Sequence, residues 1–289
     1  MSTDASTWTE LRPVCPRLRY WAGDDGEPVV SWSTELVGFA AGLMIAAVTA
    51  PVGVSGAVFL LPIQLSVLGV PSPAVTPTNL LFNVVAGPGA LLRYRRGSAL
   101  GGPLTKRLVL GTLPGVVIGA LIRVFAIPGP GVFRLLVAAL LLPLGGWLCA
   151  RTLWPAPARP SAEPAPRMVT ALALVVGVIG GIYGIGGGSL LGPILVGRGV
   201  PVAKVAPAAL ASTFLTSVVG AVTYSLLALT SSGSIAPVWS LGLACGLGGL
   251  VGGCLGAHMQ PRLPETALRL LLGWLAVVLG GLYAVQVFS

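Results

Sequence analysis

The chain has 289 residues, 55% of them hydrophobic and only 9% charged, and its mean hydropathy is +0.92. A soluble domain carries roughly 25% charged residues, so lipid solvates most of this chain and no room is left for a soluble catalytic domain. The formal net charge of +9 suits a bacterial inner membrane, with basic residues against anionic head groups on the cytoplasmic face. Those residues fall in short loops between apolar runs, so nucleic acid is not an expected partner.

Residues 1–34 read as a polar N-terminal extension with Asp24, Asp25 and Glu27, and Glu35 just beyond. The extension lacks the basic start, short apolar core and cleavage site of a secretory signal. Trp8, Tyr20, Trp21 and Trp32 would rest at the membrane interface. Apolar segments follow at 36–50, 56–68, 77–92, 107–126 and 133–150, which define a first membrane repeat over 35–153. Residues 154–167, rich in Pro and Ala and bearing Arg159, Glu163 and Arg167, read as a cytoplasmic linker. Five more segments, at 169–183, 189–197, 207–229, 237–256 and 268–287, define a second repeat over 168–289.

The repeats are related. Gly53, Ser55, Gly56 and Pro62 align in order with Gly184, Gly186, Gly187 and Pro193, and Gly69-Val70-Pro71 with Gly199-Val200-Pro201. Pro77 then matches Pro207, Gly115 and Gly119 match Gly252 and Gly256, and Arg134 matches Arg269. Duplication of this kind lets two like halves enclose a central site and rock against each other. The loop charges alternate between the halves. Loop 93–107 carries Arg93, Arg95, Arg96, Lys106 and Arg107, whereas its counterpart 229–236 carries no charge. Residues 127–133 are uncharged, whereas 257–269 hold His258, Arg262 and Arg269. Positive charge inside therefore predicts inverted halves.

Inversion requires an odd number of crossings per half. Residues 36–68 would be about 50 Å long as one helix, against a hydrocarbon core of about 30 Å, and they are interrupted at 53–56 as 169–197 are at 184–188. Each interrupted region is expected to be a re-entrant pair of half-helices followed by three spans, giving two hairpins, six spans and both termini outside. The alternative is eight spans with each broken region crossing as one kinked helix. It leaves Arg198, Lys204, Arg262 and Arg269 on the external face.

Unwound backbone at membrane depth is tolerated inside protein or beside a wet cavity, and a half-helix beginning there offers free N–H groups and the positive end of its dipole to an anion. The candidate binding residues are therefore Gly53, Ser55, Gly56, Asn79 and Asn83 in the first half. In the second they are Gly184, Gly186, Gly187, Gly188, Ser189, Ser212 and Thr213. The competing reading is that the glycines serve helix packing, as expected for Gly115 with Gly119 and for Gly248, Gly252 and Gly256. None of the eight acidic residues lies within an apolar span, so no carboxylate is available there to bind a cation. Arg123, near the external end of its span, either attracts anions or snorkels. His258 is read as a surface residue, and Cys149, Cys245 and Cys254 as small apolar residues. Neither a metal-ligand spacing, a catalytic triad nor a dinucleotide or Walker fingerprint occurs, so no cofactor and no enzymatic activity are expected.

The run Gly177-Val178-Ile179-Gly180-Gly181-Ile182-Tyr183-Gly184-Ile185-Gly186-Gly187-Gly188, with Pro193, Gly199-Val200-Pro201 and Ala211-Ser212-Thr213, resembles the TSUP family, also called the sulfite exporter TauE/SafE family. The resemblance covers residues 36–287 and implies a plasma-membrane transporter of sulfur-containing or organic anions. Ser55 and Ala57 replace glycines of the pattern in the first half. The expected function is secondary transport of a small anion such as sulfite or a sulfonate. An anion channel and a membrane enzyme or assembly factor are the alternatives. The expected partners are the substrate anion and the bilayer, and a homo-oligomer is compatible with the sequence.

Overall fold

The computed structural model describes residues 32–52, 55–94, 101–127, 129–154, 165–198, 200–230, 235–259 and 265–288. Gly53, tail residues 1–31, most of the linker, and loop residues 95–100, 231–234 and 260–264 lie outside them. The described residues are all-helical. The first half consists of α1 (Trp32–Val52), α2 (Ala57–Ser66), α3 (Ser72–Tyr94), α4 (Pro103–Leu121) and α5 (Pro130–Leu153). The second half consists of α6 (Pro166–Tyr183), α7 (Gly188–Gly197), α8 (Val202–Thr230), α9 (Trp239–Met259) and α10 (Glu265–Phe288). Pro103, Pro130 and Pro166 open their helices, where the missing N–H costs nothing. Six helices are long and apolar enough to cross a bilayer.

The two helix breaks fall where the glycines predict them, after Val52 and after Tyr183. The limbs differ from the expected pairs of half-helices. α1 has 21 residues and α6 has 18, about 32 and 27 Å, so the first limb of each region is span-length. Only α2 and α7, with 10 residues each, are half-length. α2 starts beside the middle of α3, where the Asn79 side chain bonds the Ala57 carbonyl, and a short turn at 67–71 joins its end to the start of α3. It therefore runs back along α3. α7 runs back along α8 in the same way.

Small residues hold the long helices together. A Cβ on Gly252 would lie 2.0 Å from the Leu43 carbonyl oxygen, and one on Gly256 would lie 2.3 Å from that of Ala47. Their counterparts Gly115 and Gly119 meet the carbonyls of Leu174 and Val178 at 2.5 and 2.3 Å. So α9 packs on α1 as α4 packs on α6, each pair parallel, through the glycine series expected to serve packing. With no hydrophobic drive between helices in lipid, such close backbone approach supplies the attraction. Cys245 is buried in the first of these seams.

The same exchange of halves relates the remaining contacts. α3 packs parallel to α9, as α4 does to α8; Gly242 meets Leu81 and Gly246 meets Val85, while Gly220 meets Val116. The counterparts α3 and α8 are antiparallel, because Gly220 lies against Leu80 and Gly87 against Phe214. Counterparts α5 and α10 are antiparallel too: Gly145 meets Ala276, and Gly280 meets Leu142.

Candidate functional site

The second break is built from backbone. Gly184 ends α6 at φ +73°, and its N–H and that of Ile185 both bond the Gly180 carbonyl, at 2.8 and 3.2 Å. Gly186 follows at φ +71°. Both lie in the left-handed region that glycine alone occupies cheaply. Space is closed as well. A Cβ would lie 2.3 Å from the Thr76 oxygen at Gly184, 2.7 Å from Thr213 Cγ2 at Gly186, 2.7 Å from Thr112 Cγ2 at Gly187 and 1.9 Å from the Ala209 oxygen at Gly188. The glycines thus bring α3, α4 and α8 onto the break, which is a packing role alongside any binding role.

The first break is built from side chains. Gly56 has φ −59°, which any residue adopts. Ser55 Oγ accepts from the Ala57 N–H at 3.3 Å, and Asn79 Nδ2 donates to the Ala57 carbonyl at 2.9 Å. The Ser55 bond gives the first N–H of α2 a partner that the helix itself does not supply, and the Asn79 bond ties that start to α3.

Asn83 joins the two breaks. Ser55 Oγ donates to its Oδ1 at 3.4 Å, and its Nδ2 donates to the Gly184 carbonyl at 3.5 Å. Two turns back along α3, Thr76 donates to the Ile182 carbonyl at 3.1 Å. On α8, Thr213 Oγ1 lies 3.5 Å from Ser189 Oγ, which itself donates to Ile185. The described candidates from both halves therefore occupy one neighbourhood between α3 and α8. Ser212 is set behind it, where it shares a hydrogen bond of 2.9 Å with Thr112 on α4.

The electrostatics differ from a cradle of free amides. The N–H groups of Ala57, Gly187 and Ser189 are taken by Ser55 Oγ, Thr216 Oγ1 and the Gly186 carbonyl. The donors left to a ligand are mainly hydroxyls and carboxamides, in the positive field at the starts of α2 and α7. Two buried side-chain atoms here have no partner within the protein, Ser217 Oγ and Asn79 Oδ1. Ser217 lies beside Gly186, with its Oγ 3.0 Å from where a Cβ there would be. Thr216 and Ser217 belong to the polar residues that follow the second break in the sequence but are not among the expected binding residues, and Thr112 is in neither group. Spacing is the one available signal: Thr213 and Ser217, like Ser212 and Thr216, are four apart and share a helix face.

Arg123 does not snorkel: it is 1% exposed. It lies in a π-helical turn, Ile122–Ala126, that continues α4. Its guanidinium donates to the Ser72 carbonyl, to Ser72 Oγ at 2.7 Å and to the Ile127 carbonyl, and lies 4.1 Å from the centroid of the Phe133 ring.

Together these features define a multi-pass membrane protein whose two interrupted helix pairs meet at a buried, uncharged polar site. Residues 38–283 match the sulfite exporter TauE/SafE family, and the chain belongs to that family. A similar relative is a probable membrane transporter protein of Xylella fastidiosa (strain Temecula1), 27% identical over 247 residues that cover 80% of this chain and 84% of the relative. No solved structure matches the chain. Family and relative make this a membrane transporter.

Proposed function

We propose that the protein is a secondary transporter of a small sulfur-containing anion, such as sulfite or a short sulfonate, in the bacterial plasma membrane. The anion binds between the two breaks. The observation that carries this reading is the bridge made by Asn83, which ties Ser55 of the first break to Gly184 of the second. Ser55, Asn83, Ser189, Thr213 and Ser217 offer neutral donors there, and Glu35, the acidic residue whose side chain is described, stands in the first turn of α1. A desolvated anion suits hydroxyl and carboxamide donors near helix starts, and a cation does not.

The halves serve as an inverted pair. Support comes from the opposed directions of counterparts α3 and α8, and α5 and α10, together with the alternation of loop charge. In a cysteine-free background, Gly101→Cys should resist an impermeant thiol reagent applied to whole cells, and Ser232→Cys should react. Labelling of both from one side contradicts inversion.

The functional test is flux into proteoliposomes across sulfite, thiosulfate, a short alkylsulfonate, sulfate and acetate. Saturable uptake of a sulfur oxyanion with counterflow is expected. Non-saturating flux means a channel, and no flux with any anion contradicts the reading.

A further inference from the structure

We propose that Arg123 is a second anion-binding residue, a staging point beside the last turn of α6, on the side where α3 begins. The inference rests on the anion-transport reading above.

A guanidinium in a membrane protein's interior is costly unless its charge is balanced. Among the described residues no carboxylate pairs with Arg123. Its partners are two carbonyls and a hydroxyl, all neutral groups that do not balance its charge. Nε is buried and has no partner. The Phe133 ring face at 4.1 Å offsets part of the charge, as cation–π contacts do. What remains is a desolvated cation with a vacant donor, and planar guanidinium matches the paired oxygens of an oxyanion.

Placement connects the residue to transport. Ser72 and Thr76 are one turn apart on α3. Thr76 bonds the Ile182 carbonyl and abuts Gly184, and Tyr224 on α8 donates to the Gly181 carbonyl at 2.8 Å. The last turn of α6, which leads into the second break, is therefore flanked by the α3 turn that holds Arg123. Arg123 also lies in a π-helical turn, a local distortion that often marks functional positions. In the present conformation Ser72, Ile127 and Phe133 seal the guanidinium. An arriving anion exchanges with the Ser72 carbonyl and is then handed toward Asn83.

The test is side-specific kinetics of radiolabelled sulfite in right-side-out and inverted membrane vesicles, for wild type, Arg123→Gln, Arg123→Lys and Asn83→Ala. Arg123→Gln should raise KM at least tenfold for sulfite presented at the Arg123 face and by less than twofold at the other face. Arg123→Lys keeps the charge with fewer donors and should give a smaller rise, confined to the same face. If Arg123→Gln is not recovered in the membrane, the one-sided rise in Arg123→Lys carries the test. Equal KM on both faces, or a symmetric fall in Vmax alone, makes Arg123 a structural clamp and overturns the inference. Asn83→Ala should raise KM from both faces. If it changes neither, or wild type takes up no tested anion, the central-site reading itself fails.

Discussion

The two breaks occupy matching places and are built differently. At the second, Gly184 and Gly186 take left-handed backbone, and four successive glycine-lined contacts bring α3, α4 and α8 within reach of the main chain. At the first, the corresponding Ser55 and Ala57 are not glycines, and side chains of Ser55, Asn79 and Asn83 stabilise the turn. The difference teaches that a broken membrane helix can be satisfied in two ways. Neighbouring helices can approach the bare backbone, or polar side chains can reach it from a distance. Both halves carry hydroxyl or carboxamide donors, the second on a backbone shape that only glycine takes cheaply, and Asn83 spans the join.

The largest expected effect breaks the backbone side of this comparison. Gly188→Ala forces a Cβ to within 1.9 Å of the Ala209 oxygen, and overpacking of that kind costs about 1–3 kcal/mol or more. Its counterpart change, Ala57→Gly, costs about 0.5–1 kcal/mol. Thermal unfolding in detergent, with monodispersity, should show a clear drop for Gly188→Ala and a small one for Ala57→Gly. Equal stability of the two would remove the asymmetry.

Thr112→Val sharpens the comparison. Thr112 meets Ser212 at 2.9 Å, and loss of its hydroxyl leaves a buried partner unpaired for about 1–3 kcal/mol. The unfolding temperature should fall, and a restored value in Thr112→Val with Ser212→Ala would tie the effect to this pair. A Thr112→Val protein as stable as wild type would show that the pair contributes nothing.

Smaller still is Ser217→Ala. Ser217 Oγ has no protein partner, so unfolding should stay within about 0.5 kcal/mol of wild type. Binding of sulfite should weaken by roughly 10- to 150-fold, the equivalent of about 1.5–3 kcal/mol for one hydrogen bond to a charged group. Unchanged affinity would take Ser217 out of the site.

Much of this was legible in the residues, and the reasons are physical. Scarcity of charge marks a lipid-solvated chain, and clustered glycines mark positions where a helix stops, which is why Val52 and Tyr183 end their helices beside the predicted breaks. The glycine seams of α4 and α9 were readable from four-residue spacing. Limb length was not: Trp32 begins α1 inside the segment read as a polar tail, because Trp, Ser and Thr there favour neither state. Nor could local pattern say which way Thr112, Thr216 and Ser217 face, since a hydroxyl in a helix ordinarily bonds its own backbone, as Thr112 does to Leu108. Arg123 resembled a snorkelling residue by its place near a helix end. Its burial arises from Ser72 and Phe133, 51 and 10 positions away in the chain.

The central claim is that one anion binds between the two breaks, with Asn83 as the shared donor. Its most direct test is equilibrium binding of radiolabelled sulfite to purified wild-type and Asn83→Ala protein, with thermal unfolding measured on the same samples. Loss of a hydrogen bond to a charged group is worth about 1.5–3 kcal/mol, so affinity should fall by roughly 10- to 150-fold while the protein stays folded and monodisperse. An Asn83→Ala protein that binds sulfite as tightly as wild type would contradict the account.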